Sequence, residues 1–287
     1  MSISHVDFCI IGSGAVGLSL ATQLIKQHPD CKIIILEKES AVGLHSSGRN
    51  SGVLHAGVYY KPDSIKAKVC VPGARRLREW ILERNLPLNQ CGKIIVPQKE
   101  HLDGQLDILA KRAKANGSVV QLIDAKQLKQ IIPCAATSSG RALWSPQTAV
   151  TKPRLVIQRM AQELLEQGVH ILVDQEGWSI SPKSSQLTLK DGTTICYGHL
   201  FNCGGLQALN IAKQFGIEHN LRAIPFKGLY WELKQSSQLH VPCNLYPVPD
   251  LDVPFLGVHF TPSADEKAVV SIGPTATPAL GQENYDG

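Results

Sequence analysis

The chain has 287 residues, 43% hydrophobic and 18% charged, enough for one large globular domain or two modest ones with ample core. Its net charge of +5 is mild and spread along the sequence, which gives no footprint for nucleic acid. No run reaches the length of a membrane-spanning helix, and the opening MSISHVDF lacks the basic and apolar regions of a secretory signal.

The eight cysteines form no C-x-x-C pair, and Cys9 and Cys203 sit inside apolar runs. Reduced thiols in a cytoplasmic protein are expected, and no metal site.

In chain order, the first predicted element is a short buried strand, Phe8–Ile11. It runs into Gly12, Gly14 and Gly17, a G-x-G-x-x-G, and then an apolar-periodic helix through Leu18, Ala21 and Ile25. Gly12 suits a tight turn, Gly14 the close approach of a pyrophosphate, and Gly17 the packing of helix on strand. The helix start offers free N–H groups and a positive dipole end to phosphate. A second apolar run, Lys32–Leu36, ends at Glu37, where a carboxylate can accept both ribose hydroxyls. Strand, glycines, helix, strand and acid in this order predict a dinucleotide site.

Residues 38 to 62 show no helical or strand period and read as a long ordered loop, a kind usually functional. Ser46, Ser47, Arg49, Asn50 and Ser51 supply donors there, and Gly48, Gly52 and Gly57 allow close backbone approach to a flat ligand. A helix follows from a cap at Asp63 or Ser64, with Leu77, Trp80 and Ile81 inward and a kink or break at Pro72-Gly73. Next come a strand Lys93–Val96, a helix Leu102–Asn116, strands Val119–Ile123 and Arg141–Trp144, and a loop Ser145–Thr151. Arg154–Gln167 is a helix with Val156, Met160 and Leu164 on one face, stopped by Gly168. His170–Val173 reads as a core strand. Trp178–Ile180, Leu187–Leu189 and Thr194–Cys196 read as an antiparallel meander turning at Asp191-Gly192. Leu200–Cys203 is a further strand, running into Gly204-Gly205 and a helix Ala208–Phe215. Beyond Arg222 the pattern changes to short strands and proline turns, the mark of an antiparallel sheet forming a substrate pocket.

HSSGRNSGVLHAGVYYKPDSIKAKVC (45 to 70), CGKIIV (91 to 96), IPFKGLYWEL (224 to 233) and NLYPVPDLDVPFLGVHFTP (244 to 262), together with the glycine fingerprint, resemble the L-2-hydroxyglutarate dehydrogenase (oxidase) family of the D-amino-acid oxidase superfamily. The resemblance covers nearly the whole chain. It implies a mixed α/β and α+β fold, a Rossmann-like FAD-binding domain with an antiparallel-sheet substrate domain. The expected division is 1–90 and 151–221 for the FAD-binding domain, 91–150 and 222–287 for the substrate domain.

Cofactor contacts are then expected from Gly12, Gly14, Ala15, Val16 and Gly17, from Glu37 and Lys38, from His45, Ser46, Ser47, Arg49, Asn50, Ser51, Gly52 and Val53, from Gly177 and Trp178, and from Gly204 and Gly205. FAD is expected to be non-covalent, with His45 beside the flavin. Gly177 stands where relatives usually carry Val in the strand beside the adenine. The family continues for roughly a hundred residues past the segment matching Ile272–Tyr285, so this chain is expected to lack its C-terminal return to the cofactor domain and to hold flavin more weakly.

The implied reaction is oxidation of the C2 alcohol of L-2-hydroxyglutarate to 2-oxoglutarate, with the hydride passing to flavin. A neutral-range base must take the hydroxyl proton, and His259 and His55 are the candidates, His259 favoured. Lys227 and Tyr230 are candidates for carboxylate and hydroxyl contacts, although strand alternation sets Lys227 on the opposite face from Tyr230. Tyr59 and Tyr60 are further pocket candidates. The expected partners are a dicarboxylic 2-hydroxy acid and an electron acceptor, whether quinone, electron-transfer flavoprotein or oxygen. Localisation is expected to be cytoplasmic, with peripheral attachment to the inner membrane as an alternative. The competing readings are a truncated, catalytically silent homologue and a related FAD oxidoreductase acting on glycerol 3-phosphate or an amine. An NAD-binding dehydrogenase is disfavoured because nothing in the loop after Glu37 needs a nicotinamide.

Overall fold

The computed structural model describes residues 5–217, 220–234, 236–249, 257–265 and 269–283. The chain forms two compact units, each built from separate stretches. The first comprises Met1–Asn50, Pro153–Pro225 and Leu280–Glu283; the second comprises Ser51–Lys152, Phe226–Ala279 and Asn284–Gly287. The sequence-based division ran at 90, 150 and 221, so the helix Ile65–Glu83 falls in the second unit. Its Val71 lies against Gly57 of the preceding loop, which is part of that same unit.

The first unit holds a six-stranded sheet in the order Ser179–Ser181, Gln186–Thr188, Thr194–Asn202, His5–Ile11, Ile33–Leu36, His170–Leu172. The last four are parallel and the first three antiparallel. Ile33–Leu36 is apolar at every position and wholly buried, as a strand covered on both faces must be. Its alternate residues divide between two cores. Ile33 and Ile35 join Ile10 beneath Leu18, Ala21 and Leu24 of the helix Ala15–Gln27 and Ile157, Ala161 and Leu164 of the helix Pro153–Glu166. Ile34 and Leu36 join Val6, Cys9, Leu187 and Ile195 on the other face. Each such isoleucine contributes about 1.5–3 kcal/mol by leaving water.

Two sequence expectations change here. Thr194–Cys196 and Leu200–Cys203 are one strand, Thr194–Asn202, whose start pairs antiparallel with Gln186–Thr188 while the rest runs parallel to His5–Ile11. His170–Leu172 is an edge strand, not a core one, and His170 is exposed.

The second unit is built on a seven-stranded sheet: Trp231–Glu232, Val270–Gly273, His259–Pro262, Asn244–Pro247, Lys93–Val96, Arg141–Ser145, Gln121–Asp124. It is antiparallel except where Asn244–Pro247 runs parallel to Lys93–Val96. Ile94 and Val96 pack with Ile123, Leu128, Ala142 and Cys243, and Ile95 packs on the opposite face with Leu106, Leu143 and Tyr246. A small sheet pairs Val53–Leu54 and Leu88–Asn89 with Ala149–Thr151, inside the stretch expected to be loop.

The helix Ile65–Glu83 is capped by Ser64, whose Oγ accepts the Ala67 N–H at 3.2 Å, and it continues through Pro72 without dividing. A further helix, Ala125–Ile131, starts from a capping box between Asp124 and Gln127. The beginning of the segment PFLGVHFTP and the tail past Glu283 lie outside the described residues.

Candidate functional site

In the first unit the glycine turn joins the strand His5–Ile11 to the helix Ala15–Gln27, whose first turn borders a cavity of about 420 Å³. Gly12 holds φ +101°, and a Cβ there would stand 2.4 Å from the Cys203 carbonyl oxygen. A Cβ on Gly17 would lie 2.0 Å from the Gly12 carbonyl oxygen, so the helix reaches the turn only because both positions are glycine. Gly14 lines the cavity, and a Cβ there would have only Ser47 atoms within 4 Å, the nearest being Oγ at 3.0 Å. The same Ser47 Oγ accepts the Ala15 N–H at 2.9 Å.

Glu37 is buried at the end of its strand with its carboxylate oriented by the backbone around it. Oε2 accepts the Ser13 N–H at 3.1 Å and the Ser13 hydroxyl at 2.5 Å, and Oε1 accepts the Glu39 N–H at 3.1 Å. A carboxylate offers about four acceptor positions and three are used here, so room for one ribose hydroxyl remains.

Among the expected cofactor residues, Gly12, Gly14, Ala15, Val16, Glu37, Lys38, His45, Ser46, Ser47, Gly177, Trp178, Gly204 and Gly205 all line this cavity. Gly17 stands outside the lining because it packs against the turn. Arg49 donates through Nε to the Leu44 carbonyl at 2.5 Å, and Asn50 donates to the Ser46 and Ser47 carbonyls at 3.0 and 3.1 Å. Both brace the loop from outside the lining. Ser51, Gly52 and Val53 belong to the second unit. Gln175, Gln207 and Asn210 add polar side chains to the lining that the sequence pattern does not single out.

His45 meets Glu39 at 2.6 Å, and the Lys38 ammonium bridges Glu39 at 2.5 Å and Glu283 at 2.8 Å. The bonds from Lys38 and His45 hold the Glu39 carboxyl below its ordinary range. The ligand atoms of Glu39, His45 and Glu283 lie within 4.8 Å of one another, with the Lys38 ammonium already paired to both carboxylates.

The second unit carries a different cluster. Register places Asn244 beside Lys93 and Tyr246 beside Ile95, while Phe260 and Leu245 pair on the opposite face. By alternation Lys93, Tyr246, His259 and Thr261 share one face of the sheet. The Tyr246 ring stacks on His259 at 3.8 Å and meets His55 edge-on at 6.5 Å. Lys93 is 0% exposed, with its Nζ 4.5 Å from the centre of the Tyr59 ring and 5.0 Å from that of Tyr246.

This cluster is rich in polar atoms that meet no partner among the described residues: His55 Nδ1, Tyr59 OH, Lys93 Nζ, Asn244 Oδ1 and His259 Nε2. Leaving one such buried group unpaired costs about 1–3 kcal/mol, more for a charge, so their concentration in one place marks a functional site. His259 Nδ1 is 3.0 Å from the Gly257 carbonyl oxygen, which fixes the neutral ring with its proton on Nδ1 and its lone pair on Nε2. Burial lowers the His259 pKa; the Gly257 bond opposes this and the charge of Lys93 adds to it. Burial, with Lys93 and His259 adding to it, pushes His55 down to about 3. Burial likewise pushes Lys93 down to about 7.

Of the four expected catalytic residues, His259 and His55 come together here. Tyr230 is exposed at its edge, sharing Ser51 as a hydrogen-bond partner with Tyr246. Lys227 lies instead in the two-stranded pairing of Phe226–Lys227 with Thr277–Pro278. The buried cation is Lys93, which the sequence reading took only as the start of a strand.

A glycine turn bordering a cavity at the ends of parallel strands is a dinucleotide-binding architecture, here joined to a second unit of largely antiparallel sheet. The sequence pattern of the FAD dependent oxidoreductase (DAO) family matches residues 7–286, and the chain belongs to that family. It is similar to the mitochondrial L-2-hydroxyglutarate dehydrogenases of Caenorhabditis briggsae, 35% identical over 99% of this chain and 67% of that one, and of Homo sapiens, 36% identical over 99% and 64%. The L-2-hydroxyglutarate dehydrogenase of Salmonella houtenae is 35% identical over 97% of this chain and 66% of its own. The chain thus spans about two thirds of the length of these relatives.

Among solved structures it resembles the FAD-bound L-alpha-glycerophosphate oxidase of Mycoplasma pneumoniae, with a TM-score of 0.79 at 21% identity over 98% of this chain and 73% of that one. It also resembles the glycine oxidase of Geobacillus kaustophilus, with a TM-score of 0.77 at 20% identity over 96% and 73%.

FAD is the family's cofactor, and the first unit's residues fit its adenine dinucleotide half. The side-chain-free wall at Gly14 and the helix start suit the pyrophosphate, the oriented Glu37 carboxylate suits the ribose, and Trp178 offers an apolar surface. Among the described residues no helix is long and apolar enough to cross a membrane.

Proposed function

We propose that this chain oxidises the C2 alcohol of L-2-hydroxyglutarate to 2-oxoglutarate. The names of its relatives support that choice, and one observation of geometry carries the chemistry. His259 is held neutral, with Nδ1–H directed to the Gly257 carbonyl and a shielded, unpartnered Nε2 lone pair. Nε2 is therefore the atom that takes the substrate's hydroxyl proton. Its stacking on Tyr246 holds the ring in orientation, so the proton transfer needs no rotation of the imidazole. His55, also neutral, is a second donor or acceptor for the substrate's oxygens.

FAD, when bound, supplies the hydride acceptor. Gly12, Gly14, Ala15, Glu37 and Ser47 hold its adenine dinucleotide half in this reading. Electrons leave to an external acceptor of the quinone, electron-transfer flavoprotein or oxygen class, and the enzyme works in the cytoplasm or at the inner-membrane surface.

The test is turnover of FAD-loaded protein with an artificial dye acceptor. L-2-hydroxyglutarate should be consumed in preference to its D-enantiomer, to L-lactate and to glycerol 3-phosphate. Equal turnover of lactate and hydroxyglutarate, or activity on the D-enantiomer alone, overturns the proposal.

A further inference from the structure

Lys93 is the cation of this cluster, and the base-catalysed reading leaves it without a task. Its ammonium is fully buried on the sheet face it shares with Ile95, and no described protein acceptor meets it. The two tyrosine faces against it attract a cation but accept no conventional hydrogen bond. No described carboxylate forms an ion pair with it. A lysine is retained in such a place, where methionine would fill the volume without a charge, when an anion arrives to meet it. The Tyr59 hydroxyl fits the same ligand, a donor that meets no partner among the described residues.

We propose that Lys93 is the substrate-anion residue of the second unit, its ammonium receiving a carboxylate of the substrate with the Tyr59 hydroxyl as a supporting donor. This rests on the 2-hydroxy-acid reading and sharpens it. One ammonium and one hydroxyl supply donors for the two oxygens of a carboxylate.

The charge of this face changes through Lys93 alone between pH 6.5 and 8.5. Burial keeps His55 and His259 neutral there, and burial raises the Tyr59, Tyr246 and Cys70 pKa values above their ordinary range.

The experiment is calorimetric titration of the FAD-loaded protein with 2-oxoglutarate at pH 6.5, in the wild type and in Lys93→Met. The variant should keep the flavin absorbance ratio and a melting temperature no lower than wild type, yet bind about tenfold more weakly or worse, the equivalent of one charge-assisted hydrogen bond. Binding within twofold of wild type overturns the assignment, as does a wild type that does not bind 2-oxoglutarate. Should the variant not fold, the wild type alone decides. Its affinity should fall about tenfold per pH unit above the lysine's titration, and a pH-independent affinity overturns the proposal. A wild type with lysine-dependent binding that leaves L-2-hydroxyglutarate unoxidised sinks the activity and keeps the role of Lys93. A wild type that oxidises it, with binding unchanged in Lys93→Met, does the reverse.

Discussion

Replacing Lys93 by Met should stabilise the free protein, and by an amount that depends on pH. The unfolded lysine titrates near 10.5 and the folded one at about 7, so below pH 7 both states are charged and the folded state bears the full desolvation cost. A gap of this size corresponds to roughly 5 kcal/mol, at about 1.36 kcal/mol per unit. The sign follows from proton counting. Between the two pKa values the unfolded chain binds the proton and the folded chain does not, so the stability of the wild type rises with pH in that window. The advantage of Lys93→Met should therefore be greatest at pH 6, roughly 5 kcal/mol, and shrink to roughly 2 kcal/mol at pH 9. Methionine fills a similar volume, and replacing a buried charge by a packed apolar chain is commonly neutral or stabilising. Urea unfolding of both proteins at the two pH values, without substrate, reads the difference. A variant less stable than wild type at pH 6, or a gain identical at both pH values, would show that the ammonium has a partner inside the fold and that the reasoning fails.

Four further outcomes are expected. Gly14→Val should leave a folded protein without flavin, read as the ratio of visible to ultraviolet absorbance; stoichiometric flavin in the variant would refute the cavity assignment. His259→Gln should lower kcat by about 100-fold or more while leaving 2-oxoglutarate affinity within a few-fold, the loss typical of a removed general base. Because burial lowers the His259 pKa, the acidic limb of kcat/KM should lie below pH 6.5, and a limb above that value would implicate another base. Ile34→Ala should cost about 2–5 kcal/mol in chemical unfolding, since the side chain is wholly buried among Val6, Cys9, Leu187 and Ile195.

The nucleotide half was legible in the sequence because its constraints are local. The glycines, the apolar helix face and Glu37 lie within one short stretch, each position with a single steric reason. The loop after it was legible only in part. Arg49 and Asn50 were expected as ligand donors, and each also donates to a carbonyl of its own loop, which the pattern of residues does not show. The helix Ala125–Ile131 escaped notice although Asp124 and Gln127 carried its capping box. Pro72 was overweighted as a helix breaker.

Lys93 marks the deeper limit. KIIV looks like a strand with a solvated charge at its start, and parity alone puts residues 93 and 95 on one face. Tertiary packing decides that this face is closed: Tyr59 lies over Lys93, and Leu102 and Leu106 join Ile95 in the core.

The strand Thr194–Asn202 has a consequence for the birth of the molecule on the ribosome. It is the neighbour of His5–Ile11 in the sheet, yet it is synthesised about 190 residues later. At about 5–20 residues per second, the first strand waits on the order of ten to forty seconds with one edge bare. Over that interval CII and IIIL are an apolar pair of strands beside an open hydrogen-bonding edge, the pattern most prone to join a neighbouring chain. The yield of soluble protein should therefore depend on chaperone supply and elongation rate more than on the equilibrium stability of the finished fold.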